Sequence, residues 1–530
     1  MKQFETRGLE FHSSRMWQWA AIERALDFMT LTGLNALIFH QNDLIDQLVF
    51  PEDYFSVELM WKRWPVRMHT IQNNRQYIGK VVREAKERGI AFYPQVKEIW
   101  YPEGLLEFFP ALRKADGTLC PSDPFWWEFM EKKTRELLTV MPDIAGVIVS
   151  PGTRESKISI STNKCDCERC KSMDAKTWYN KLLDAMYRPL AEKGKRLVVR
   201  DFAYTAHQQN MMIDAATQCS DKIVVALKNT PHDFYPTFPT NPRIGHSGAH
   251  PQWVEFDTWG QFFGIGFFPV SVIEDMQGRM RQCAERGVTG IWLRTDWEVM
   301  TEASSFNSLN TLNMFGGALI AKNVDVDLNT VYKSWFNYGL CSAHRSGTHL
   351  QAPVVPKNPA ALDKLKNFMQ ASWKVMEKAV YVRGHVFHED AMFPDTVQMG
   401  FRMMVEIHSR DDWEPEASKR VAPTDENLKI IFAEKDQAVV EAQTLPAILQ
   451  ADTLGLSQEF ADELKDMLDL YVLYVRGFRE CARACFLTRK TTMTCDTADV
   501  RAARAALPSL YALRDEIIAR LRGTHYPHYV

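Results

Sequence analysis

The stretch Glu87-Arg88-Gly89-Ile90-Ala91-Phe92-Tyr93-Pro94-Gln95-Val96-Lys97 decides the fold. It joins the end of one amphipathic helical pattern, Arg75–Glu87, to a mostly apolar run that finishes in polar residues. Glycine in Glu-Arg-Gly can take the left-handed conformation that closes a helix before a strand begins. The same punctuation recurs at Glu285-Arg286-Gly287, ahead of Gly290–Arg294. Each passage is one unit of an alternating helix–strand chain.

Outward from these two, eight units can be drawn. Strands are expected at Gly8–His12, Ala36–His40, Ala91–Lys97, Gly146–Ser150, Leu197–Phe202, Ile223–Lys228, Trp253–Asp257 and Gly290–Arg294. Helical patterns between them include Trp17–Thr30, Pro124–Val140, Ala175–Lys193, Ala206–Cys219 and Val272–Arg286. Such alternation makes a parallel sheet with right-handed crossovers, and eight units fit a closed barrel better than an open sheet. A dinucleotide-binding open sheet would want G-x-G-x-x-G after its first strand, and none is there.

After Val324-Asp325-Val326-Asp327 the pattern turns helical, at Leu328–Phe336, Ala360–Lys378, Asp425–Leu449, Gln458–Cys485 and Ala498–Arg522. The proline-rich Ala352–Pro359 reads as a loop. The expectation is a (β/α)8 TIM barrel over 1–325 followed by an α-helical C-terminal domain over 326–530.

The net charge of −3 in 530 residues makes no electrostatic case for nucleic acid or a membrane surface. No apolar run reaches the ~18 residues of a membrane helix, and Met1–Ser14 has no apolar leader core. The ten cysteines are not spaced as a small secreted disulfide framework. A cytoplasmic protein with reduced thiols is the expectation. The 15 Trp, 16 Tyr and 30 Phe suit both core packing and a sugar-binding cleft.

Polar residues at the C-terminal ends of barrel strands are where such folds place chemistry. Strand by strand the ends carry Glu10 and His12; His40, Gln41, Asn42 and Asp43; Gln95, Lys97 and Glu98; Ser150 to Glu155; Arg200 and Asp201; Lys228, Asn229, His232 and Asp233; Glu255, Asp257 and Gln261; Arg294, Asp296 and Glu298. Any one of these is as readily a rim ion pair as a functional group. Together, carboxylates interleaved with cations suit glycosidic bond cleavage, which needs one protonated carboxyl and one carboxylate.

Leu119–Trp127, Met141–Val149, Val198–Tyr204, Lys228-Asn229-Thr230-Pro231-His232-Asp233-Phe234 and Gln252–Phe256 resemble, in order and spacing, α-glucuronidases of glycoside hydrolase family 67. The resemblance covers roughly a third of the chain, and Lys228–Phe234 is its most specific part. It implies an exo-acting, inverting hydrolase of a uronic acid-bearing oligosaccharide, with Glu155 as general acid and Asp233 as general base. It also implies Arg200 and Lys228 as holders of the uronate carboxylate. His12, Asn42, Lys97, Asn229, Gln261, Arg294 and Asp296 complete the expected substrate-binding set. An inverting pair should stand roughly 6.5–9.5 Å apart.

The chain departs from that family in several places. Gln261 stands where it has a second candidate base, with Asp257 and Glu255 the nearest replacements. Glu155 aligns only with a gap, and Ser150 replaces a lysine. These departures keep two other readings open. One is a glycosidase of other sugar specificity or stereochemistry, such as a substrate-assisted hexosaminidase, although Thr153-Arg154-Glu155 lacks its adjacent Asp-Glu pair. The other is a non-catalytic carbohydrate-binding barrel. A homodimer through the helical region is a further expectation from the resemblance.

No cofactor is expected. Cys165-x-Cys167-x₂-Cys170, with Cys120, is a weak metal candidate because only one C-x₂-C unit is present. His246 and His250 could line the cleft or be plain loop residues. Trp259, Trp292, Trp297 and Phe263 could stack on sugar or pack the barrel.

Overall fold

A computed structural model describes residues 3–152, 155–201, 206–297, 304–341, 353–449 and 454–522, with side chains omitted for 206–209. Thr153, Arg154, Phe202–Tyr204, Glu298 and Ala352 therefore lie outside the described residues.

Eight parallel strands close into a barrel in chain order. They are β1 (Thr6–Phe11), β2 (Ala36–His40), β3 (Ala91–Val96), β4 (Gly146–Val149), β5 (Arg196–Arg200), β6 (Val224–Lys228), β7 (Gln252–Asp257) and β8 (Gly290–Arg294). Closure comes from β1 beside β8, with Glu10 level with Arg294. Both Glu-Arg-Gly stops hold: Gly89 and Gly287 have φ of 71° and 78°.

Seven of the eight strands are followed by a long helix: Trp19–Thr32, Pro65–Glu87, Phe125–Val140, Ala175–Glu192, Ala206–Cys219, Ile273–Glu285 and Thr311–Lys322. The exception lies between β6 and β7, where no helix forms. Pro231, Pro236, Pro239 and Pro242 explain it, because each removes an amide donor and clashes with a preceding helical turn. The Thr311–Lys322 helix, absent from the sequence expectation, is masked by its glycines. A Cβ at Gly316 would stand 2.7 Å from Ile273 Cγ2, so glycine there permits close packing of neighbouring helices.

Two shells make the core. Outside the strands, apolar side chains pack under the helices; inside, Ile38, Tyr93, Ile148, Val198, Trp253 and Trp292 fill the barrel. Two tryptophans fit because their neighbours are glycines. A Cβ at Gly8 would lie 2.6 Å from Trp292 Cβ, and one at Gly290 would lie 2.3 Å from the Trp253 ring. The next inward layer, toward the C-terminal ends, is polar: Glu10, His40, Gln95, Arg200, Lys228, Glu255 and Arg294. The strand period of two that buries Trp292 and Trp253 also aims Arg294 and Glu255 inward.

The following chain is helical, with Leu328–Tyr338, Ala361–Val380, Asp425–Leu449, Gln458–Thr494 and Thr497–Leu521. The Gln458–Thr494 helix packs against both Asp425–Leu449 and Thr497–Leu521. None of the described helices is long and apolar enough to cross a membrane. Between the helical stretches, residues 381–414 lie against the loops after β6 and β7. Arg410 donates to the Thr237 carbonyl at 2.7 Å, Phe238 meets Trp413 at 4.5 Å, and Tyr381 donates to the Phe262 carbonyl at 2.5 Å. This segment closes one side of the barrel mouth.

Candidate active site

A cleft of about 850 Å³, counting its open mouth, sits at the C-terminal ends of the strands. Of the expected residues its wall holds His12, Lys97, Glu155, Arg200, Lys228, Asp233, Gln261 and Arg294; it adds His232, Phe262, Trp297, Glu389 and Asp390.

Lys228 ends β6, and its ammonium bonds Asp233 Oδ1. Asp233 sits on the proline-rich turn with φ of 39°, a left-handed conformation that Asp tolerates better than most residues. The Thr230 hydroxyl lies 2.9 Å from the His232 carbonyl and 2.6 Å from that of Asp233, holding the turn. Burial alone would raise the Asp233 carboxyl. The charge of Lys228, aided by His408 and the Lys228 hydrogen bond, instead lowers it to about 2.

Glu389 lies across from it on the 381–414 segment. One oxygen of each carboxylate and a ring nitrogen of buried His408 all lie within 4.8 Å of one another. Burial, with the charges of Asp233 and Asp390, raises Glu389 to about 7. Its main-chain carbonyl accepts from Tyr235 at 3.1 Å, tying it to the barrel. Neighbouring Asp390 accepts from Gln261 at 2.7 Å, so the glutamine that stands in place of a carboxylate holds an acid from another part of the chain. Neither Glu389 nor Asp390 was expected from the sequence. No spacing signal links them to β6, and they lie on a turn just after the two-residue strand His385–Val386.

Glu155 also borders the cleft, paired with Lys97 at 3.0 Å. It is the more open group: its side chain is 38% exposed and that of Asp233 15%. Its loop is anchored from β3. Glu98 accepts from the Gly152 amide at 2.5 Å, and its own amide donates to the Ser156 hydroxyl at 2.9 Å. Burial raises the Glu98 carboxyl to about 7, against those hydrogen bonds.

Five expected site residues lie outside the cleft wall, each held by its own partners. Glu255 receives two hydrogen bonds from Arg200, at 2.6 and 2.8 Å, with both side chains buried. Despite burial, Arg200 keeps Glu255 ionised, its pKa below the usual value. It fixes the guanidinium and leaves no free base. Asp257 accepts the amides of Trp259, Gly260 and Gln261 at 3.0–3.1 Å, which builds the turn after β7. Asp296 accepts from the His12 amide and the Ser13 hydroxyl, both at 2.6 Å. Asn42 takes the Lys97 amide on its carbonyl, and Asn229 bonds Glu255 and Asn241 through its main chain. None of these five borders the cleft.

Among the aromatics, Trp259, Trp292 and Phe263 are buried, while half-buried Trp297 faces the cleft. His246 and His250 precede β7, at the opposite end of the barrel.

Arg294, whose charge acts on Glu255 and Asp257, makes no ion pair within 4.0 Å among the described residues. It is buried in the cleft wall at the end of β8; the Phe234 ring lies 5.7 Å away. Beneath it, Glu10 accepts from Trp292 Nε1 at 2.7 Å and meets His40 Nδ1 at 2.9 Å. Burial and the Glu255 charge raise Glu10 to about 8. Burial, with the cations around it, keeps His40 neutral.

Among the described residues, three clusters could offer metal ligands: Glu10, His12 and His40; Asp233, Glu389 and His408; and four cysteines outside the cleft. The first two already carry cations, Arg200 and Arg294 beside one and Lys228 beside the other. The cleft therefore holds a pair of close carboxyls shifted in opposite directions, with Lys97, Arg200, Lys228 and Arg294 in its wall.

No protein-family model and no curated protein sequence matches the chain. Among solved structures it is similar to a GH138 enzyme targeting pectin rhamnogalacturonan II, with 12% identity and a TM-score of 0.64. That match covers 98% of this chain and 62% of the other, so this chain spans about three-fifths of that enzyme's length. Matches to a mutant O-GlcNAc hydrolase of Thermobaculum terrenum (12% identity, 98% of this chain and 95% of that one) and to CpGH84B (11%, 97% and 74%) each have a TM-score of 0.42. Family 67 is not among these three. What the likeness shows is the fold, a closed eight-stranded parallel barrel followed by a helical region.

Proposed function

We propose that this chain is a glycoside hydrolase removing a uronic acid residue from an oligosaccharide, with Glu389 as proton donor and Asp233 as the carboxylate at the anomeric carbon. The observation that carries the reading is the pair itself: two carboxyls with oxygens within 4.8 Å, one lowered to about 2 and one raised to about 7. Environments that push two titratable groups apart in this way assign acid and base.

Glu389 would protonate the departing glycosidic oxygen while Asp233 attacks the anomeric carbon. The resulting glycosyl ester would be hydrolysed by a water that Glu389, now ionised, deprotonates. So short a separation favours this double displacement, for which carboxyls stand about 5–5.5 Å apart, over single inversion at about 6.5–9.5 Å. The reading therefore replaces Glu155 as the acid. Lys97 and Glu155 would serve as a polar wall on the same cleft.

Uronate specificity is supported by Arg294, a buried guanidinium suited to a substrate carboxylate through charge-assisted hydrogen bonds. It agrees with the resemblance of Lys228–Phe234 to α-glucuronidases. The test is turnover of aryl uronides and their neutral hexoside counterparts, with proton NMR of the first-formed anomer. Retained configuration and loss of turnover in both Glu389→Gln and Asp233→Asn are expected. Inverted product, or full activity in either variant, would overturn the assignment.

A further inference from the structure

Cys165, Cys167 and Cys170 follow β4 on the loop that carries Glu155, and Cys120 lies on the loop between β3 and the Phe125–Val140 helix. The fold brings all four sulfurs together. Four of the six Sγ–Sγ distances are 3.4–3.5 Å, and all lie within 4.8 Å. We propose that Cys120, Cys165, Cys167 and Cys170 bind one zinc ion as a closed, structural four-thiolate site.

The geometry supports zinc over pairwise disulfides. A tetrahedral zinc with Zn–S of ~2.3 Å has ligand sulfurs about 3.8 Å apart, close to the spacing here. A disulfide needs about 2.05 Å and draws two sulfurs together, whereas here every one of these close contacts shares a sulfur with another. All four cysteines are free. Four thiolates leave no open coordination position, so the ion would be structural.

The surroundings fit thiolates. The Cys170 amide donates to Cys167 Sγ at 3.4 Å, and the Ser122 hydroxyl lies 3.3 Å from Cys170 Sγ. Lys114 hydrogen-bonds Cys165, and Arg169, paired with Asp123 at 2.8 Å, adds positive charge near Cys120 and Cys167. These cations would offset the −2 charge of zinc with four thiolates. The ligand-bearing loops are themselves held: Trp126 Nε1 donates to the Cys120 carbonyl at 3.0 Å and Trp178 Nε1 to that of Pro121 at 2.9 Å.

The sequence expectation was weaker because a paired C-x₂-C was sought. Here three ligands come from one turn and the fourth from a loop 45 residues earlier. The ion would fasten the loop after β3 to the loop after β4, and so brace one wall of the cleft.

The test is metal analysis of the full chain purified under reducing conditions without added metal. About one zinc per chain is expected, with the four thiols unreactive toward a thiol reagent until a chelator is added. Replacement by Co(II) should give the visible bands and thiolate charge transfer of a tetrahedral sulfur site, and Cys167→Ser should lose both zinc and those bands. The wild-type measurements decide the matter if that variant does not fold. Zinc below about 0.1 per chain with freely reactive thiols, iron in place of zinc, or disulfides among the four by mass would each overturn the proposal.

Discussion

Replacing Glu389 by Gln removes the proposed proton donor with little change of shape, and the structure sets the size of the effect. At its raised value of about 7, Glu389 is about nine-tenths protonated at pH 6; at its ordinary 4.5 it would be about one-thirtieth protonated. The environment thus enlarges the competent fraction by about thirty-fold before any geometric contribution. Loss of a positioned acid costs ~10²–10⁴ in rate. The assay compares aryl glycosides of one sugar with leaving groups of different acidity. Glu389→Gln should lose roughly 10²–10⁴ in kcat/KM where the departing oxygen needs a proton, and under about tenfold where it leaves as a stable phenolate. The sign of the pH dependence follows from the acid form being the active one. Wild-type activity should be present below pH 7 and fall as pH rises through about 7, while Asp233 is ionised throughout. That alkaline limb should vanish in the variant. The reasoning is refuted if the limb survives in Glu389→Gln and the leaving-group dependence appears in Glu155→Gln instead.

The same raised carboxyl makes a stability prediction. A group held above its unfolded value stabilises the fold below the unfolded value and loses that contribution as pH rises through the folded one. Glu389→Gln should therefore raise the melting temperature at pH 8, by about 1–3 °C, and leave it unchanged at pH 4, as checked by calorimetry. Asp233→Asn removes a charge that lies within 4.8 Å of the Glu389 carboxylate and helps to raise it. The Glu389 carboxyl, followed by ¹³C NMR, should titrate about one to two pH units lower in that variant. Arg294→Met should cut the preference for uronides over neutral glycosides by ~10–150-fold, the value of a charged hydrogen bond; an unchanged ratio would remove the uronate reading. Gly290→Ala places a Cβ 2.3 Å from the Trp253 ring and should destabilise by about 1–3 kcal/mol, with partial recovery on adding Trp253→Leu.

The barrel was legible because its causes are local. Ala36–His40 and Gly290–Arg294 coincide with their expected bounds, since short apolar runs followed by polar ends record burial directly. The cations of the cleft were legible for the same reason: Arg200, Lys228 and Arg294 end strands. Glu389 was not, because no periodicity connects residue 389 to residue 233, and only packing of Tyr235, Phe238 and Trp413 brings them together. Glu255 looked like a base in sequence because a strand-end carboxylate and its guanidinium partner, 55 residues away, can be matched only by barrel register. The missing helix after β6 could have been read from its four prolines.

The division of the carboxyl pair between Asp233, on a barrel loop, and Glu389, on the segment that docks against it, has a consequence for how the protein comes into being. During synthesis the barrel strands emerge well before residue 389. A barrel made alone would carry the cations of the cleft wall and the ionised carboxylate, and would hold an anionic sugar without cleaving it. Catalytic competence would arrive only when the later segment docks, Tyr235 donating to the Glu389 carbonyl and Arg410 to that of Thr237. Two separately produced pieces divided within residues 342–352 would accordingly be inert apart and active on mixing, and their recovered activity would measure the strength of that docking.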